Sequence, residues 1–135
     1  MSIDILLQCF RDGEPATFKR ELVEKIFARD ANDYRPPLTG VRYADGGGAE
    51  IYGADNGDDI QNLMFNHFGG RTFFNPLYEL ARETKSVVLM VTESNPIAVT
   101  DQETADHLPP GFAGLSTPAI VSSGTELAAH LYGAD

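Results

Sequence analysis

The chain has 135 residues, 42% of them hydrophobic and 22% charged, and a chain of that length and composition buries a core as one domain without disulfide or metal staples. Its formal charge is −10 and Cys9 is its one cysteine, which excludes an internal disulfide framework, a cysteine-rich zinc site and generic binding to nucleic acid or an anionic membrane. No apolar run approaches the roughly 20 residues of a membrane span, and Met1-Ser2-Ile3-Asp4 has no basic n-region, so a cytoplasmic domain over residues 1–135 is expected.

Ile3 to Phe10 reads as a strand, with Ile3, Ile5, Leu7 and Cys9 on one face and Leu6 and Phe10 on the other. Apolar residues on both faces suit an interior strand. Arg11-Asp12-Gly13-Glu14 is a turn, and Pro15 suits the first position of a helix. Phe18, Leu22, Val23, Ile26 and Phe27 then recur at helical spacing, so Leu22 and Ile26 are expected to face the sheet. Residues 30–38 form a loop ended by Pro36-Pro37. Thr39–Tyr43 and Ala49–Gly53 read as strands joined by Asp45-Gly46-Gly47-Gly48 as a hairpin. Asp55-Asn56-Gly57-Asp58-Asp59 is a turn, and Leu63–Phe68 reads as a third antiparallel strand stopped by Gly69-Gly70.

Thr72–Thr84 carries the stripe Phe73, Leu77, Leu80 and Ala81 of a second helix. Val87 to Val91 is a continuous apolar run, the mark of a strand buried on both faces, and Ile97-Ala98-Val99 pairs back on it after Asn95-Pro96. Thr100 and Glu103 have capping-box spacing and open a short helix, Asp101–Leu108; residues 111–118 are loop, and Pro118–Ser122 is a short edge strand. Ser123 and Glu126 repeat the box before a helix over Gly124–Tyr132. The order β-α-β-β-β-α-β-β-α-β-α implies an α+β fold: a single mixed, mostly antiparallel sheet with helices packed on one face.

Candidate chemistry is sparse. His67, His107 and His130 form no HxH or HxxxH pair, and the Asp55–Asp59 run lacks the spacing and closing Glu of an EF-hand, so no metal site is expected. Cys9 lies in an apolar strand with no neighbouring base and is expected to be a buried, unreactive thiol. Ser122-Ser123-Gly124 lacks GxSxG spacing, and capping accounts for Ser123. Gly46-Gly47-Gly48 matches no phosphate loop. Gly69-Gly70-Arg71-Thr72, ahead of a helix, offers backbone N–H groups and a cation, and is the sequence's one plausible small-anion site. No catalytic residue and no cofactor are implied. The phenylalanines fall on core faces rather than on a stacking platform.

Ile3 to Pro15, the hairpin Val41 to Tyr52 and the end segment Ile120 to Leu127 resemble small acidic bacterial proteins of unassigned activity. The size, acidity and α+β pattern are similar to those of immunity proteins of bacterial toxin systems. The resemblance covers most of the chain and implies a shared fold and no catalytic residues.

The charge is uneven. Residues 1–43 are balanced, and no Lys or Arg follows Lys85, whereas residues 44–70 carry Asp45, Glu50, Asp55, Asp58 and Asp59 with no base at all. Two tight turns gather these five carboxylates, whose mutual repulsion a basic partner would relieve. The first expectation is therefore a non-enzymatic, immunity-like domain that presents these acids to a basic protein partner. The alternative is a small enzyme or ligand-binding domain with a site near Tyr43, His67, Gly69, Gly70 and Arg71.

Overall fold

Alternation along Ile5–Arg11 (β1) sends Ile5, Leu7 and Cys9 into one buried cluster and turns Leu6 and Phe10 to the other face. The computed structural model describes residues 3–35, 39–54 and 57–133, so Pro36, Pro37, Asp55 and Asn56 of the expected loops lie outside the described residues. After β1 come β2 (Glu14–Pro15), β3 (Phe18–Lys19), α1 (Arg20–Ala28), β4 (Asp33–Arg35), β5 (Gly40–Arg42), β6 (Gly48–Tyr52), β7 (Asp59–Ile60) and β8 (Asn62–Gly69). The chain continues through α2 (Phe74–Thr84), β9 (Ser86–Met90), β10 (Ile97–Val99), α3 (Gln102–Asp106), a 3₁₀ turn (Pro110–Gly114), β11 (Ala119–Ile120) and α4 (Gly124–Tyr132).

Among the described residues, a nine-stranded sheet runs in the order β11-β10-β9-β1-β8-β6-β5-β4, with β2 added to β1, and β3 and β7 form a separate ribbon. Its pairings are antiparallel except for β10 with β11. The fold is thus α+β with one mixed, mostly antiparallel sheet, as the pattern implies. β1 lies between β8 and β9, and all five residues of β9 are buried, which is why its sequence shows no alternation.

Three helices cover one face. Val23, Ile26 and Phe27 of α1, Phe74, Leu77 and Leu80 of α2, and Leu127 and Leu131 of α4 pack with Ile5, Leu7, Ile51, Leu63 and Phe65. Each such side chain contributes about 1.5–3 kcal/mol by leaving water. On the opposite face Val87, Leu89, Ile97 and Val99 are covered by Ala105 of α3, Phe112 of the 3₁₀ turn and Leu108 between them.

Three local expectations are corrected. Asp12 and Gly13 both take positive φ, 52° and 80°, as a two-residue hairpin turn needs. Pro15 therefore continues a strand opposite Phe10 instead of opening a helix, and Phe18 lies in β3 opposite Ile60. Ile26 is buried against the sheet and Leu22 packs, partly buried, against the same cluster, as expected; the loop expected over residues 30–38 instead carries β4, because Asp33–Arg35 pair with β5 and extend the sheet. The cap of α3 is Asp101, not Thr100: the Asp101 Oδ1 accepts from the Thr104 N–H at 2.8 Å and from its hydroxyl at 2.7 Å. The Thr100 hydroxyl is buried without a partner among the described residues. At α4 the expected Ser123 cap forms, while the reciprocal arm of the box reaches one residue further back, to Ser122. Ser123 Oγ accepts from the Glu126 N–H at 3.1 Å, and the Glu126 carboxylate accepts from the N–H and hydroxyl of Ser122.

One close approach positions the site. A Cβ on Gly124 would stand 2.3 Å from Asn75 Oδ1 and 2.8 Å from the Phe74 carbonyl oxygen, so only glycine lets α4 begin against the first turn of α2.

Candidate functional site

Asp45 lies in the β5–β6 turn, and its carboxylate accepts from three backbone N–H groups, those of Gly47, Arg71 and Thr72, each at 2.9 Å. Arg71 and Thr72 precede α2 and would otherwise leave their donors open. Their partner is a carboxylate 26 and 27 residues earlier in the chain. These bonds, those of Thr72 and Gly47 foremost, hold the Asp45 carboxyl down at about 2, from an ordinary 3.8. The turn fits because a Cβ on Gly47 would stand 2.3 Å from the Gly69 carbonyl oxygen. The Arg71 and Thr72 N–H groups, expected from sequence to face a small anion, donate instead to the protein's own Asp45.

The other acids of the base-free stretch also have partners. Asp59 Oδ1 is 2.6 Å from Lys19 Nζ, and Asp58 Oδ1 is 3.2 Å from Arg20 Nη2. Glu50 Oε1 is 3.0 Å from His67 Nδ1, and its Oε2 accepts from the Tyr52 hydroxyl at 3.0 Å. Asp55 lies outside the described residues. β3 and the start of α1 supply the cations that residues 44–70 lack, so the repulsion expected from sequence is relieved within the fold.

The residues expected for a ligand site separate into three environments. Tyr43 is 3% exposed, and its hydroxyl donates to the Phe27 carbonyl at 2.8 Å; burial pushes it well above the usual phenol range. It belongs to the core. His67 takes φ 49° at a register shift between β6 and β8, which turns its ring out to Glu50 while Phe65 and Phe68 both pack inward. Gly69 pairs with Gly48 at the end of β8. Gly70 and Arg71 alone open onto a groove.

That groove lies between α2 and α4 and has a volume of about 470 Å³. Gly70, Arg71 and Phe74 line it from the α2 side; Thr125, Ala128, Ala129 and Tyr132 line it from α4. Phe74, 1% exposed, is its floor, and Tyr132, 57% exposed, is a wall set edge-on to Phe74 with ring centroids 5.6 Å apart. Ala128, Ala129 and Gly70 stand where larger side chains would fill the space. Thr125, Ala128, Ala129 and Tyr132 follow i, i+3, i+4, i+7 spacing, a signal the sequence did contain but which reads as ordinary helix filler. A second groove, of about 440 Å³, is lined by Lys19, Arg20, Glu21, Glu24 and Asp58, with Arg20 paired to both Glu24 and Asp58.

The remaining candidates are anchored in the fold. Cys9 is buried, its thiol donates to the Thr84 carbonyl at 3.4 Å, and burial raises its pKa. His107 Nδ1 accepts from the Asp12 N–H at 3.0 Å, and His130 Nε2 donates to the Ile97 carbonyl at 2.9 Å. Among the described residues no group of three His, Cys, Asp or Glu side chains is placed to hold a metal ion, and no helix is long and apolar enough to cross a membrane.

No protein-family model, no curated protein and no solved structure matches this chain. Its own geometry is what a functional reading rests on.

Proposed function

We propose that the chain is a binding domain for a small, partly apolar molecule, held in the groove between α2 and α4. The observation that supports this is the pairing of a buried aromatic floor with an open space kept by small residues: Phe74 below, Ala128 and Ala129 beside it, and the half-exposed Tyr132 ring above. The volume is in the range of small-molecule sites. Tyr132 has 57% of its surface in water, and an apolar body laid against it would recover part of that area. The polar groups at the rim, Arg71 and Thr125, supply orientation rather than chemistry, so the reading is binding without catalysis.

The test is an amide NMR titration with 1-octanol, an uncharged probe with an apolar body. Amides of Gly70, Arg71 and residues 125–132 should shift together and saturate. Ala129→Trp, at an exposed position, should fold normally and abolish the shifts by filling the groove. Shifts scattered over the molecule, or unaffected by Ala129→Trp, would refute the site.

An acidic surface for a basic protein partner is the second reading. What supports it is the exposure of the ion pairs: the Asp58 side chain is 86% and the Asp59 side chain 57% open to water despite their contacts with Arg20 and Lys19. Pairs that exposed contribute little to the fold, so these carboxylates can exchange an internal cation for a partner's at small cost.

A further inference from the structure

The geometry points to a ligand with one anionic head: a monocarboxylate whose apolar body lies on Phe74 and Tyr132 and whose head pairs with Arg71. The inference rests on the groove reading above and adds the sign and number of the ligand's charges. Three observations carry it. First, the Arg71 guanidinium lines the groove and is exposed, and among the described residues it has no hydrogen bond or ion pair; only its backbone N–H is engaged, with Asp45. Lys19, Arg20, Arg29, Arg82 and Lys85 have carboxylate partners, whereas Arg71, like Arg11, Lys25 and Arg42, makes no ion pair among the described residues, and Arg71 is the one of these four that lines the apolar groove. A guanidinium offers a carboxylate a two-pronged, charge-assisted contact.

Second, the head is limited to a single charge by Asp45. That carboxylate already takes the N–H groups of Arg71 and Thr72, the donors a phosphate would need. It is also close behind Gly70, one of the groove's lining residues: a Cβ on Gly70 would stand 2.9 Å from both of its oxygens. A dianion would therefore meet one guanidinium, no free backbone donors in that turn and a resident negative charge. Third, the opposite wall offers an apolar ring and a neutral hydroxyl, Tyr132 and Thr125, so the rest of the ligand is uncharged.

The experiment compares octanoate, 1-octanol and octylammonium by the same amide titration, at low salt and again at about 0.5 M NaCl, where charge effects over more than a few ångströms are screened. Octanoate should bind roughly 1.5- to fivefold more tightly than octanol at low salt, as expected for one partly exposed charge pair, and octylammonium should bind more weakly than octanol. High salt should narrow the gap. Arg71→Gln should remove the preference for octanoate over octanol, with the unliganded spectrum checking the fold. If octanol saturates the groove amides and octanoate binds no better, or octylammonium binds best, the anionic head is wrong and the groove survives. If none of the three shifts those amides, the groove and the inference fall together.

Discussion

Asp45 and the Asp58–Asp59 pair belong to the same base-free stretch, yet the fold holds them by different means. Asp45 has three backbone N–H donors fixed by a hairpin turn and by the start of α2. Asp58 and Asp59 meet the ends of two long side chains, Arg20 and Lys19, at the surface. Fixed dipoles need no ordering to receive the carboxylate, whereas a surface pair loses side-chain entropy and is screened by salt. Equal formal charges thus have unequal worth, and a count of acids in the sequence cannot tell a clamp from a solvated pair.

The sharpest break of that comparison is Asp45→Ala. It frees two donors before α2 and one in the hairpin turn, and it should lower the melting temperature by several degrees, the largest effect among these acids. The pH dependence follows from the depressed carboxyl. Because its folded value lies near 2 and its ordinary value is 3.8, the stabilisation is complete above about pH 4 and is lost as pH falls towards 2. Denaturant unfolding of wild type and variant should therefore differ most at neutral pH and converge near pH 2. A gap that stays constant with pH would mean that the bonds are not those of an ionised Asp45.

Asp101 sharpens the comparison from a second position. It caps α3 through Thr104 and also pairs with Lys85, and its carboxyl is likewise held at about 2, by Lys85 first. Asp101→Ala should cost about 1 kcal/mol, the usual price of a lost N-cap, and Asp101→Asn should retain part of that capping. The smallest effect belongs to Asp58→Asn with Asp59→Asn. That double variant should melt with the wild type, and only the salt dependence of stability should change. If a basic protein partner is recovered by affinity capture, the same variant should slow its association; an unchanged rate and salt slope would remove the acidic-surface reading.

Much of the fold is legible in the sequence because local and tertiary signals agree. The uninterrupted apolar run of β9, the two-faced pattern of β1 and the Ser123 cap of α4 each reappear where the pattern puts them. The misreadings occur where two local signals compete. Pro15 suits a helix start, but Asp12-Gly13 is also a hairpin turn, and the added pairing with β1 decides for strand. The site is legible only by halves. Gly70 and Arg71 stand out as a turn with a cation ahead of a helix, whereas the α4 wall, made of alanines and a terminal tyrosine, carries no chemical mark. The role of Asp45 is not readable at all, because its donors lie on a helix start brought to it by the sheet.

The measurement that tests the central claim most directly is a crystal structure of the protein soaked with octanoate. The account predicts an alkyl chain between Phe74 and Tyr132 with its carboxylate on the Arg71 guanidinium, and Asp45 still bound to the N–H groups of Arg71 and Thr72. Octanoate found only at the Lys19–Arg20 groove, or absent from the α2–α4 groove at saturating concentration, would contradict it.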